Sequence, residues 1–119
     1  LKSGVTEIFG ISSLDNLLKV FPKHREDYSP ERVRKGIRSK LIYSYSGGLV
    51  LKESDDKMLR ESRFVPPDKM PFSSDITVFG NSVSIISFEG VVSGVIIEHP
   101  EIAKSFKQFF DFMWKMTSV

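Results

Sequence analysis

Apolar positions along this chain switch between a two-residue and a 3.6-residue period, and the switches read as strand, helices, strand, irregular segment, strand, hairpin, strand, helix. Ile8, Phe9 and Ile11 carry a first strand over residues 6–11, which Ser12-Ser13 ends. Ser13 stands in cap position for a helix with Leu14, Leu17, Leu18 and Phe21 on one face, and Pro22 stops or kinks it. Ser29-Pro30-Glu31 is a second helix start, with Ser as N-cap and Pro at the first helical position, and Gly36 is the matching stop. A second strand follows over residues 40–44. Roughly thirty residues of mostly helical chain between two apolar strands is the βαβ arrangement, which crosses over right-handed and makes the strands parallel. Ser46-Gly47-Gly48 breaks the pattern; a short helix is expected over residues 51–60 and a strand over 62–65, ended by Pro66-Pro67. Residues 76–79 and 83–88 then flank Gly80-Asn81-Ser82 at hairpin spacing, Glu89-Gly90 turns the chain, and residues 93–98 form the next strand. The fold class this implies is α/β, a central mixed β-sheet flanked by helices with a C-terminal amphipathic helix.

That last helix, opened by His99-Pro100-Glu101, has too much apolar surface for one sheet. Ile102, Phe106, Phe109, Phe110 and Met113 form a stripe, which Ala103 and Trp114 widen on one side and Phe112 and Met116 on the other. The arc is roughly 200°, against the ~100° that a helix needs to cover one layer. Two arrangements bury the surplus. Either Phe112 and Met116 pair with a second subunit in a homodimer, or Phe112 lies in the core under the segment 47–70.

Composition narrows the class without naming a function. The 119 residues, 40% hydrophobic with ten Phe, are enough for one core and are read as a single domain. The absence of cysteine excludes disulfide scaffolds and Cys-ligated metal centres and fits a cytoplasmic setting. No apolar run approaches the ~20 residues of a membrane span. A net charge of +2 is too mild to imply that this stretch itself binds nucleic acid. Arg32, Arg34, Lys35, Arg38 and Lys40 cluster around a helix end, where cations complement the dipole; an anion or DNA-backbone contact is the other reading.

Four motifs, "VTEIFGISSLDNLLKVFP", "RVRKGIRSKLIYS", "DITVFGNSVSIISF" and "SGVIIEHPEIAKSFKQFFDFMWK", taken in order, resemble the effector domains of TrmB-like transcriptional regulators. These are winged-helix DNA-binding proteins that carry a phospholipase D-like α/β domain after the DNA reader. The resemblance implies that Leu1, in place of an initiating Met, begins a fragment, that DNA is contacted only through a missing N-terminal domain, and that the partner of this part is a small-molecule effector, a sugar or other metabolite.

The fold resemblance also implies a test for phosphodiester hydrolysis by His-x-Lys-x4-Asp. Its positions fall on Gly80, Ser82 and Ser87, so the nucleophile, the phosphate-holding cation and the acid are all replaced. His24 and His99 are followed by Arg25-Glu26 and Pro100-Glu101 and do not recreate the motif. No nucleophile elbow, phosphate loop or calcium loop is present, and neither a cofactor nor a metal is expected. What remains is a polar set at the sheet ends where α/β folds bind ligands: Ser12, Ser13, Ser44, Asn81, Ser82 and Ser87. Their hydroxyls and carboxamide suit a neutral metabolite, and each is also an ordinary turn or capping residue. A non-catalytic effector-sensing and dimerisation domain is the reading this supports; a dimerisation module without a ligand, and a hydrolase that uses other residues, are the alternatives.

Overall fold

The computed structural model describes residues 4–21 and 29–117. Six strands form one mixed sheet in the order β3-β2-β1-β4-β5-β6. β1 (Glu7–Ser13), β2 (Arg38–Ser44) and β3 (Arg60–Phe64) are mutually parallel, whereas β4 (Ser74–Phe79), β5 (Ser82–Ser87) and β6 (Ser93–Glu98) are antiparallel to their neighbours. The parallel half follows from its connections, since chain of helical length returns each strand to the same end, and the antiparallel half from the two-residue turn at Gly80-Asn81. Gly80 alone of that pair has positive φ, at +59°, the pattern of a II′ turn with Gly in first place.

The described residues include three α-helices: α1 (Leu14–Val20), α2 (Ser29–Arg34) and α3 (Pro100–Lys115). Gly36 stops α2 as expected, with φ +72°. Its N–H donates to Val33 O and that of Ile37 to Arg32 O, the paired bonds of a Schellman ending. His99 caps α3, its Nδ1 accepting from the Ile102 N–H at 3.3 Å. The start of α3 at Pro100 uses a residue whose missing N–H costs nothing there. Pro22 and His24 lie outside the described residues.

The period-two alternation divides the strands between two layers. On one face Ile11 and Ile42 pack with Met70 and Phe110, and Val78 and Val83 pack with Ala103, so α3 is the cover. Phe110 lies 5.5 Å from Phe9 and stacks on Trp114 at 5.6 Å, and Arg63 lies over Trp114 at 4.2 Å. On the other face Leu14 and Leu17 of α1 close over Tyr43, Leu51 and Phe88.

Three sequence expectations are revised. Residues 51–60 are not one helix but a 3₁₀ turn, Lys52–Ser54, followed by turns through the left-handed Leu59 at φ +48°. The cause is tertiary: Asp55 accepts from Arg60 Nε at 2.7 Å and from the Ser62 N–H and hydroxyl at 2.9 and 2.7 Å, which bends the chain back onto β3. Phe21 is half exposed, meeting Phe88 edge-on at 6.0 Å instead of entering the core. Phe112 is 67% exposed, so the alternative that buried it under segment 47–70 is excluded.

The basic cluster at the α2 end has the ordinary explanation. Arg34 and Lys35 pair with Glu31, Lys40 lies over Trp114 at 5.4 Å, and buried Arg32 donates to Ile37 O, Leu59 O and Met58 O.

Candidate functional site

Where β1 gives way from its parallel to its antiparallel neighbour, the face opposite α3 holds a cavity of about 360 Å³. Ile8, Gly10 and Ser12 of β1 floor it, with Leu41 on one side and Thr77, Ser84 and Ile86 on the other. A Cβ on Gly10 would come within 3.3 Å of Leu41 Cδ1, so the glycine keeps this floor open. The walls are mostly apolar, with a few polar groups at defined places, as small-molecule sites usually are.

Asp75 is the carboxylate of this cavity. It stands in β4 next to the end of β1, where the Ser12 hydroxyl donates to Oδ2 at 2.7 Å and the Ser13 N–H to Oδ1 at 3.2 Å. Burial pushes its carboxyl up to about 6, and the two donated hydrogen bonds hold it from rising further. Among the described residues no cation pairs with it. At neutral pH Asp75 is therefore mainly an anion, with two of its lone-pair sites engaged, in a mostly apolar space that Arg32 and Arg60 also line.

The six expected site residues do not come together. Ser12 lines the cavity. Ser13 contributes its backbone N–H to Asp75, and its hydroxyl accepts from Asn16 Nδ2 at 3.2 Å. Ser44 is opposite Ser13 in register and buried, but it is not part of the cavity wall. Ser87, at the end of β5, is in register with Ser74 and Ser93. Asn81 and Ser82 lie at the other end of the sheet, beside a wider opening of about 660 Å³ shared with Glu7, Glu98 and His99. Five residue steps separate Ser82 from Ser87, roughly 17 Å, so one small ligand cannot touch both.

Asp75 is the site residue that sequence reasoning missed. A carboxylate in a strand otherwise apolar after it is a depleted choice and was the available signal. Its partner Ser12 is 63 residues earlier, visible only once β1 and β4 are paired. Among the described residues no three His, Asp or Glu side chains gather as a metal site, and no helix is long and apolar enough to cross a membrane.

No protein-family model matches the chain, and no curated protein matches it in sequence. Among solved structures it is similar to TrmBL2, an archaeal chromatin protein whose structure shows a novel mode of DNA binding, with TM-score 0.66 and 16% identity over 97% of this chain. The two share a fold. The chain spans 46% of the length of TrmBL2.

Proposed function

We propose that this chain is a non-catalytic effector-sensing and dimerisation domain of a TrmB-like transcriptional regulator, cytoplasmic and of phospholipase D-like descent. The observation that carries the reading is the Asp75–Ser12 pair in an apolar cavity at the point where the sheet changes from parallel to antiparallel. A fold shared with a DNA-binding chromatin protein supports the regulatory class. The sequence contains no His-x-Lys-x4-Asp motif at either histidine, which supports a binding role over hydrolysis. A ligand held by Asp75 and Ser12 donates hydrogen bonds to the carboxylate, as sugar hydroxyls or an amine do. It acts by favouring the ionised form of the site, and shifts the chain toward whatever conformation that form prefers.

A metabolite panel followed by thermal unfolding tests this. A ligand at about 100-fold its Kd stabilises by about 2.7 kcal/mol, which raises Tm by roughly 10 °C in a domain of this size. The shift should vanish in Asp75→Leu and persist in Asn81→Leu. A panel without a single shift would remove effector sensing and leave the second reading, a dimerisation module without a ligand, which the exposure of Phe109, Phe112 and Met116 on α3 favours independently. For dimerisation itself, Phe112→Lys should sediment as a folded monomer.

A further inference from the structure

Helix α3 carries two apolar seams, and only one has a cover. The inner seam, with Ala103 and Phe110 at its centre, is closed by the sheet. Ile102, Ser105, Phe109, Phe112 and Met116 make the outer one, and all five are exposed, Phe109, Phe112 and Met116 by 64%, 67% and 73%. Their spacing is three, four, three and four residues, the heptad spacing of a helix that packs lengthwise against another helix. A loop or strand has no use for that period.

The polar flank of the seam identifies the other helix. Glu101, Gln108 and Lys115 recur every seven residues beside it, and all are exposed. The charge therefore runs from negative at one end through neutral to positive at the other, so the flank is complementary to itself only when reversed. We propose that the outer seam of α3 binds α3 of a second copy of this chain in antiparallel orientation, across a two-fold axis at Gln108.

In that register Glu101 meets Lys115 of the second copy at both ends, and Gln108 meets Gln108 across the axis. The hydrophobic layers lie two residues off the flank pairing, as core layers do in an antiparallel helix pair: Ile102 faces Phe112, and Ser105, the one small residue of the seam, faces the large Phe109. Small against large is how such layers interdigitate. The helix dipoles oppose and attract. A parallel pair loses these features, because the polar flank of one helix then meets the Phe106 and Met113 side of the other. The inference rests on the dimerisation reading and adds its partner, orientation and register.

The absence of cysteine allows a clean test. Gln108→Cys should be joined into a covalent dimer by a short bismaleimide, whereas Glu101→Cys should not, because its two copies lie about 21 Å apart along the antiparallel pair. Glu101→Lys and Lys115→Glu should each weaken association by ~5-fold, and the double exchange should restore it. Cross-linking of Glu101→Cys but not Gln108→Cys would overturn the orientation. A dimeric wild type with no cross-link in either cysteine variant would overturn the seam and leave dimerisation standing on another surface. A wild type that stays monomeric at high micromolar concentration would overturn both.

Discussion

Two aspartates in this fold hold nearly the same local partners and do opposite things. Asp55 accepts from the Ser62 hydroxyl at 2.7 Å and the Ser62 N–H at 2.9 Å. Asp75 accepts from the Ser12 hydroxyl at 2.7 Å and the Ser13 N–H at 3.2 Å. The difference is the third partner. Arg60 closes on Asp55 at 2.7 Å, with both side chains nearly buried, and the set becomes a latch that fastens the turn after β2 to β3. Among the described residues no cation closes on Asp75, whose other side opens onto the cavity. A carboxylate that has hydrogen bonds but no counter-ion, in an apolar setting, has its ionisation held back by the fold, and any donor that enters the cavity relieves it. Completeness of the charge pair separates the structural site from the candidate binding site.

The largest effect expected from this contrast is at the latch. Asp55→Ala leaves Arg60 buried without its anion and should cost about 3–5 kcal/mol in urea unfolding. A loss below about 1 kcal/mol would mean that the Arg60 contacts to Leu51 O and Ser54 suffice, and that the two aspartates differ less than their surroundings indicate.

At the cavity the sign reverses. The Asp75 carboxyl ionises near 6 in the folded chain and near 3.8 unfolded, so its contribution to stability is complete below about 3.8 and is lost as pH rises through about 6. Asp75→Asn, which keeps the shape of the neutral acid, should therefore raise stability at pH 8 by about 1–2 kcal/mol. It should also remove the decline between pH 4 and 6. Denaturation midpoints across that range read both effects, and an Asn variant that is less stable at pH 8 would show that Asp75 has a cation partner in solution.

The smallest effects sharpen the comparison at the two serines. Ser62→Ala, at a fully buried hydroxyl, should cost about 1–2 kcal/mol, and Ser12→Ala about 0.5–1 kcal/mol. The second should also move the titration of Asp75 upward, as followed by NMR, because it removes a hydrogen bond to the carboxylate. Equal costs with no change in that titration would erase the distinction.

How much of this was legible in the sequence depends on the range of the interactions. Elements set by local chemistry, such as the Gly36 stop, the His99 cap, the Gly80 turn and β6 over Ser93–Glu98, stand where pattern and capping rules put them. Residues 51–60 do not, because helix propensity there is overridden by Asp55 reaching a strand partner. Position at a strand end is what groups the six polar residues in the sequence. Which end each occupies depends on strand direction, so that grouping joins Ser12 and Asn81, which the sheet sets at opposite ends. Asp75 was missed for a similar reason: its meaning lies in facing Ser12, and that pairing exists only between β1 and β4. The outer seam of α3 was visible as excess apolar arc, because helix periodicity is local and survives without knowledge of the cover.

Amide chemical-shift mapping with the metabolite that most raises Tm tests the central claim most directly. The account predicts perturbations concentrated at Ser12, Ser13, Asp75 and Thr77, with the Ser13 amide, which donates to the carboxylate, among the largest. Perturbations centred on Asn81, Ser82 and His99 at the opposite end of the sheet, or none at Ser13 and Asp75, would contradict it.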